Sequence, residues 1–415
     1  MLEIITMQLE TGLILDIIGA LLMVPFLYLL TQLIFNRLQK KHSFFNKKLM
    51  NRLFYYHMFF GIVYYAYAFI NPSDSHKYFI WPQNVTKSWI DFFGTETTFV
   101  NFISYPFING FGFSYEMMMV LYAWFGFLGF VYAYLFFKEN ISLEVKVFKH
   151  IDLLSLILFL PNMHFWTASM GKGAIIFLGL MLFAYSIKHP KSRIIGLLVG
   201  SLLVFYIRPH VFLLLTVGGL GGFLLGKDSI SWKKKGLIGL TILIGLFLVH
   251  EQILAVVHLN NSQDLLGDFI KFTTKRSHDL DNAGSGVNMA GYSLPEKFFT
   301  FWFRPLFFDA PGVLGIIVSA ENLIYLLLFL KIIKIDFLKF LKHAPVNVRM
   351  SLVLFLITSF AMTFVMSNLG IIIRQKSMVM YFLFFVIYYY LAHEKTLSIK
   401  LNLKNSNTPQ LAEAA

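Results

Sequence analysis

Three arginines in apolar surroundings are the first residues whose chemistry suggests a function. Arg208 lies in YIRPHVF, Arg304 in FWFRPLFFDAP and Arg374 in NLGIIIRQKS. A guanidinium stays charged near neutral pH, and its planar fork binds a phosphate or a carboxylate through two parallel hydrogen bonds. Lys172, in the turn MGKGA, adds a further cation beside backbone N–H groups that also bind anions. These four residues are predicted to bind a pyrophosphate group.

The arginines also have a simpler interpretation. An arginine near the end of a membrane helix often extends to the lipid headgroups and has no other role. Arg208 and Arg304 each precede a proline that fixes the local backbone, which favours ligand binding for both. Arg374 lies two residues before Lys376, and this spacing is equally typical of an interfacial anchor. Both interpretations therefore stay open for Arg374.

Three other residues are suited to exchange a proton with a substrate. His210 lies two positions after Arg208. Glu321 lies inside the apolar segment VSAENLIYL, where an ionised carboxylate requires a partner. Glu116 stands at the start of a long apolar segment. We predict that His210, Glu321 or Glu116 acts as a general base, whereas His164 is expected to be a hydrogen-bonded structural residue.

The composition of the chain determines which elements must position these residues. Of its 415 residues, 57% are hydrophobic and only 14% are charged, and the mean hydropathy is +0.67. A soluble domain carries roughly a quarter charged residues. The apolar residues form blocks long enough to cross a hydrocarbon core of about 30 Å, and lipid cannot satisfy an exposed backbone. The sequence predicts an all-α membrane protein.

The apolar blocks predict about eleven transmembrane helices in one domain over residues 1–393. They cover residues 12–35, 53–70, 114–137, 148–163, 173–188, 194–207, 210–226, 236–257, 311–331, 350–368 and 377–393. The segments 148–163 and 210–226 are short, and an alternative is that this region contains a re-entrant hairpin. The polar segment 394–415 is predicted to be a disordered tail.

The distribution of basic residues predicts the orientation of these helices. One alternating set of connecting segments holds most of the 35 Lys and Arg residues: 36–52, 138–150, 188–193, 227–235, 331–349 and the tail. Basic residues accumulate in cytoplasmic loops, so the N-terminus is predicted outside and the C-terminus inside. The arginines, Lys172, His210 and Glu116 then lie towards the outer face.

Two long outer loops follow from this topology, at 71–113 and 258–310. The first contains Trp81 and Trp89, which are expected to anchor it at the lipid interface. The second, with its Asp, Asn, Gly and Ser residues, is expected to be a solvated segment that could contact sugar.

Several function classes are excluded or disfavoured. The chain has no cysteine, which excludes disulfides, thiolate metal sites and cysteine nucleophiles. It has no Gly-rich phosphate loop ending in Lys-Ser/Thr, so ATP-driven transport by this chain alone is excluded. The formal charge of +13 is explained by topology, and no nucleic-acid partner, cofactor or metal is expected.

Four segments give the chain a resemblance to a known group of proteins. They are LPNMHFWTASMGKGAIIFLGL, FYIRPHVFLLL, FWFRPLFFDAPGVLGIIVSAENLIYL and NLGIIIRQKSMVM, within residues 110–390. In these segments the chain resembles bacterial O-antigen and exopolysaccharide repeat-unit polymerases of the Wzy/EpsG type. Such enzymes have Arg-x10-Gly patterns in outer loops, and Arg208 with Gly219 has that spacing.

The resemblance implies an activity. Such a polymerase joins polyprenyl-pyrophosphate-linked oligosaccharide repeat units at the outer face of the cytoplasmic membrane, without a metal or a nucleotide sugar. Its partners would be the lipid-linked substrate, membrane lipids, a flippase and a chain-length regulator. Arg208, Arg304, Arg374 and Lys172 would then hold the leaving pyrophosphate.

Two other hypotheses remain open. A glycosyltransferase of the GT-C type would add one sugar from a polyprenyl phosphate and would use an acid in an early outer loop, for which Asp74, Asp91 and Glu96 are candidates. A transporter of lipid-linked sugar would have repeated halves and charges near the bilayer midplane.

Overall fold

The computed structural model describes residues 2–84, 86–224, 291–310 and 312–407, with isolated positions between 225 and 290. The described chain is helical apart from one two-stranded hairpin and an isolated bridge. It forms two compact units. Unit 1 comprises Met1–Phe136 and Pro161–Phe212, and unit 2 comprises Phe137–Leu160 and Leu213–Ala415.

The first half of the chain combines long apolar helices with short helices and one hairpin. They are α1 (Leu2–Lys41), α2 (Lys47–Ile70), α3 (Asp74–Ile80), α4 (Thr97–Tyr105), α5 (Tyr115–Asn140), β1 (Lys146–Val147), β2 (Ile151–Asp152), α6 (Leu153–Leu158), α7 (Pro161–Thr167), α8 (Lys172–Ser186) and α9 (Ile194–Ile207). The strands β1 and β2 pair antiparallel, with Lys146 opposite Asp152.

The second half has fewer described elements. They are α10 (Pro209–Leu224), α11 (Leu294–Phe303), α12 (Gly312–Leu330), α13 (Ile335–His343), α14 (Val346–Thr363) and α15 (Leu369–Asn407). The axis of α15 bends by 53° between Lys376 and Met378.

Five described helices are long and apolar enough to cross a membrane, or six if the bent α15 is one span. They are Gly12–Lys41, Lys47–Ile70, Tyr115–Asn140, Gly312–Leu330, Val346–Val365 and the pair Leu369–Lys376 and Met378–Leu403. The apolar helices α8, α9 and α10 are shorter than these spans. The prediction of an all-α membrane protein is thus confirmed.

Glycines bring helix backbones close together in both units. In unit 1, a Cβ at Gly200 of α9 would lie 2.8 Å from the Phe183 nitrogen of α8. In unit 2, a Cβ at Gly218 of α10 would lie 2.9 Å from the Leu354 Cα of α14. Small residues allow this approach in membrane helices, where packing replaces the hydrophobic effect as the driving force. The glycines of α10 thus have a structural explanation.

Several predicted boundaries differ from the structure. The helix predicted at 148–163 is instead the β1–β2 hairpin followed by α6 and α7, because Pro161 has no N–H to continue α6. The helix α15 extends to Asn407, into the segment predicted as a tail. The loop 71–113 contains α3 and α4, and 258–310 contains α11. The helix predicted at 236–257 falls almost wholly outside the described residues.

Candidate functional site

A cluster of charged side chains lies in unit 1 where α8 begins and α9 ends. The Lys172 Nζ lies 3.2 Å from the Glu96 Oε2, and these side chains are 15% and 38% exposed. Arg208, directly after α9, is buried, and the half-buried His210 lies in the first turn of α10. The charges of Arg208 and Lys172 both act on His210. Three residues singled out in the sequence, Lys172, Arg208 and His210, are therefore neighbours.

The backbone around this cluster is held in place by unusual local geometry. Glu96 has a φ of 60°, which is uncommon for a residue with a side chain. Its N–H donates to the Tyr206 carbonyl at 2.6 Å, so the strained residue is fixed to the end of α9. The Arg208 carbonyl accepts the N–H groups of Val211 and Phe212, at 2.9 and 3.1 Å. Strain of this kind is concentrated at functional sites, and here it places a carboxylate on Lys172.

This arrangement is suited to bind an anion. The charges of Arg208 and Lys172 both act on one imidazole, and both side chains are cations at neutral pH. A guanidinium and an ammonium also offer several N–H donors to phosphate oxygens. An unprotonated nitrogen of the His210 imidazole can accept a proton from a bound hydroxyl. The cluster thus combines anion binding with a general base.

A second charged cluster lies in unit 2 between α11 and α12. The Arg304 Nε donates to the Asp309 Oδ2 at 2.5 Å, and the side chains are 17% and 14% exposed. The other guanidinium edge reaches neutral groups, because Nη1 lies 3.4 Å from the Tyr292 hydroxyl and 3.4 Å from the Thr300 hydroxyl. Although burial acts to lower it, these hydrogen bonds and the Asp309 charge raise the pKa of Arg304 above its ordinary value. Arg304 therefore remains a cation.

Lys376 connects this cluster to α15. Its side chain is fully buried and donates to the carbonyl oxygens of Arg304 at 2.7 Å and Trp302 at 3.3 Å. The negative charges of Glu321 and Asp309 act on it. Its spacing from Arg374 is typical of an interfacial anchor and kept that interpretation open for Arg374, but Lys376 itself is buried. The lysine lies at the bend of α15 and supports the Arg304 backbone.

Glu321 is buried in the middle of α12, as its position in the sequence predicts. Its carboxylate accepts a hydrogen bond from the Tyr325 hydroxyl one turn later. The next residue, Asn322, donates from Nδ2 to the Pro305 carbonyl at 2.7 Å. Asn322 of α12 and Lys376 of α15 therefore both donate hydrogen bonds to the backbone of the turn that carries Arg304. Arg374 is half-buried one turn of α15 before the bend, in the same unit.

The other proton-exchange candidates lie elsewhere in unit 1. The Glu116 carboxylate accepts a hydrogen bond from the Tyr65 hydroxyl at 2.9 Å, and its charge acts on Asp16 of α1. His164 is fully buried, and its Nδ1 lies 2.8 Å from the Nδ1 of His57. The sequence analysis did not identify His57. It is a single histidine in an apolar helix, and no local sequence pattern indicates contact with a residue 107 positions away.

The acids considered for a single-sugar transferase occupy three different settings. The Asp91 Oδ2 accepts the Ser88 N–H at 2.7 Å and the Ser88 hydroxyl at 2.8 Å. Glu96 pairs with Lys172, and Asp74 lies in the first turn of α3. Such contacts are typical of acids that cap turns and helices.

The glycine of the Arg-x10-Gly spacing differs from its neighbours. Gly218, Gly221 and Gly222 of α10 all face α14, where a Cβ would contact Leu354, Val353 and Met350. A Cβ at Gly219 would have no atom within 4 Å among the described residues.

Comparisons of the chain with protein-family models, with curated proteins and with solved structures return no match. The two clusters are therefore interpreted from their own chemistry.

Proposed function

We propose that this chain polymerises polyprenyl-pyrophosphate-linked oligosaccharide repeat units, as a glycosyltransferase in surface polysaccharide biosynthesis. The observation that supports it is the grouping of Lys172, Arg208 and His210 in unit 1, where Glu96 joins the start of α8 to the end of α9 through its ion pair with Lys172 and its N–H bond to the Tyr206 carbonyl. A lipid pyrophosphate is the kind of anion that two neighbouring cations in an apolar protein would bind. The adjacent imidazole supplies the base that glycosyl transfer to a hydroxyl requires.

The proposed reaction uses each residue of the cluster at a defined atom. The acceptor hydroxyl oxygen attacks the anomeric carbon of the donor sugar, and the bond from that carbon to the pyrophosphate oxygen breaks. The hydroxyl proton passes to His210, and Arg208 and Lys172 neutralise the charge that develops on the leaving pyrophosphate. Glu96 positions Lys172 through their ion pair. Glu116 and Glu321 remain alternative bases, each with a tyrosine hydroxyl as partner.

The proposal includes a location and a topology. Eleven spans, with the N-terminus outside, would place this cluster at the outer face of the cytoplasmic membrane, where lipid-linked repeat units are presented. The bias of Lys and Arg residues between alternate loops supports this orientation.

The test is a reconstituted polymerisation. The full chain in liposomes, supplied with synthetic polyprenyl-pyrophosphate-linked repeat units, should give a ladder of glycan lengths. Replacing Arg208 by alanine should lower the rate by roughly 100-fold or more, as the loss of one donor to a developing oxyanion does. A normal ladder from the double variant Arg208→Ala, Lys172→Ala would refute the proposal.

Arg193 provides a matched control because it lies at the other end of α9. Its guanidinium stacks over the Tyr185 ring at 3.8 Å, and its Nη1 donates to the Tyr185 carbonyl at 2.9 Å. Arg193→Ala removes the same charge and a similar volume from the same helix, so it should leave the ladder unchanged.

One observation favours a second candidate, a transporter of lipid-linked sugar. The span α15 bends by 53° beside the buried Lys376, and the charge of Glu321 acts on that lysine. Broken helices with buried charges are typical of transport sites. Transfer of a fluorescent lipid-linked sugar between leaflets, without any ladder, would favour this candidate over the polymerase.

A further inference from the structure

Asp309 occupies the place of an anion in the Arg304 cluster. Its two carboxylate oxygens are both engaged, because Oδ2 accepts from the Arg304 Nε at 2.5 Å and Oδ1 accepts from the Leu306 N–H at 2.6 Å. A charged guanidinium nitrogen and a backbone N–H, aimed at one negative group, form a donor set that binds phosphate oxygens equally well. The charge of the buried Lys376, whose Nζ is bonded to the Arg304 carbonyl, also acts on Asp309.

The backbone that carries the donor Arg304 is held by more hydrogen bonds from buried side chains than the loop that carries the Asp309 carboxylate. The backbone that carries Arg304 is fixed by buried side chains, with Lys376 bound to the Arg304 carbonyl and Asn322 to the Pro305 carbonyl. Asp309 lies on the following loop, where Phe307 is 55% exposed and Phe308 is 79% exposed. Rotation of the Asp309 side chain away from Arg304 breaks its own two hydrogen bonds but leaves the Arg304 backbone in place, whereas movement of that backbone would break the hydrogen bonds from Lys376 and Asn322.

We propose that Arg304 and the Leu306 N–H form an anion site for a phosphate or pyrophosphate ester, and that Asp309 is its internal competitor. The ester displaces the Asp309 carboxylate, which turns towards solvent, and no covalent bond changes. The assignment of a lipid pyrophosphate as the natural ligand rests on the proposed function. The competition between Asp309 and an added anion does not.

The prediction has a definite sign. In the full-length protein in neutral nanodiscs, Asp309→Asn should bind farnesyl pyrophosphate about tenfold or more tightly than the unmodified protein, which corresponds to about 1.4 kcal/mol. Arg304→Gln should lose this binding. If Asp309 is instead only a structural counter-ion, its removal should weaken binding or leave it unchanged, and either result would overturn the proposal.

The matched control is Asp336→Asn, which removes a carboxylate from another ion pair of unit 2. The Asp336 Oδ1 lies 2.9 Å from the Lys339 Nζ, and both side chains are exposed. This variant should bind farnesyl pyrophosphate as the unmodified protein does. A gain equal to that of Asp309→Asn would show a general charge effect and would contradict the proposal.

Further arms of the experiment identify the anion and guard against misfolding. Inorganic pyrophosphate and nanodiscs containing phosphatidylglycerol distinguish a free phosphate and an ordinary headgroup from a prenyl pyrophosphate. Asp309→Ser is a second variant, and if both Asp309 variants fail to fold, Asp309 is structural and the proposal fails. Tighter binding without a polymer ladder would support the anion site and refute the polymerase. A ladder without tighter binding would support the polymerase and refute the anion site.

Discussion

Replacing Lys376 by methionine should destabilise unit 2 strongly. The side chain is fully buried, donates to the carbonyl oxygens of Arg304 and Trp302, and balances the charge of Glu321. Methionine fills a similar volume but leaves these two acceptors unsatisfied and a buried carboxylate without this cation. Leaving one buried acceptor unsatisfied costs about 1–3 kcal/mol, so we expect the loss of both hydrogen bonds to cost about 2–6 kcal/mol.

The measurement is unfolding of the purified protein in mixed micelles with increasing SDS. Lys339→Met is the matched control, because its exposed pair with Asp336 should contribute about 0.2–1 kcal/mol. The double variant Lys376→Met, Glu321→Gln should recover part of the loss, since it removes both buried charges, with a coupling of about 0.5–3 kcal/mol. A loss below about 1 kcal/mol for Lys376→Met, or strict additivity in the double variant, would refute the reasoning.

Two further predictions concern packing and lipid contact. Gly218→Val should cost about 1–3 kcal/mol in the same unfolding assay, because its Cβ would lie 2.9 Å from the Leu354 Cα. Gly219→Ala should be close to neutral, since a Cβ there has no atom within 4 Å among the described residues. Equal effects of the two substitutions would contradict the packing of α10 on α14. Trp89, whose Nε1 donates to the Phe102 carbonyl while its ring is 44% exposed, should lie in lipid. Brominated acyl chains should quench its emission, and Trp89→Phe should remove that component; quenching by aqueous acrylamide alone would show that the ring faces water.

The apolar helices were the part of the fold that the sequence predicted best. The segment 194–207 is identical in prediction and structure because an unbroken apolar run ends at Arg208 and Pro209. The short helices α3, α4, α11 and α13 were not predicted, since none forms a long apolar run. Their amphipathic patterns depend on which surface covers them, and a single sequence does not specify that surface.

The candidate site was predicted in its residue types more than in its contacts. Arg208, Lys172 and His210 stood out because charge is rare in this chain. The Glu96–Lys172 pair joins residues 76 positions apart, and the contacts of Lys376 with the Arg304 turn join residues 72 positions apart. No local pattern encodes such pairs. The burial of Lys376 was not predicted for the same reason, because its neighbours in the sequence are typical of a surface.

The glycines on one face of α10 have a consequence for motion. A helix surface without side chains has no ridges, so α10 can slide along α14 without forcing side chains past one another. Arg349 of α14 opposes such sliding, because its Nε donates to the Gly222 carbonyl at 3.3 Å. This hydrogen bond ties the Gly222 end of α10 to α14 and sets the relative height of the two helices there.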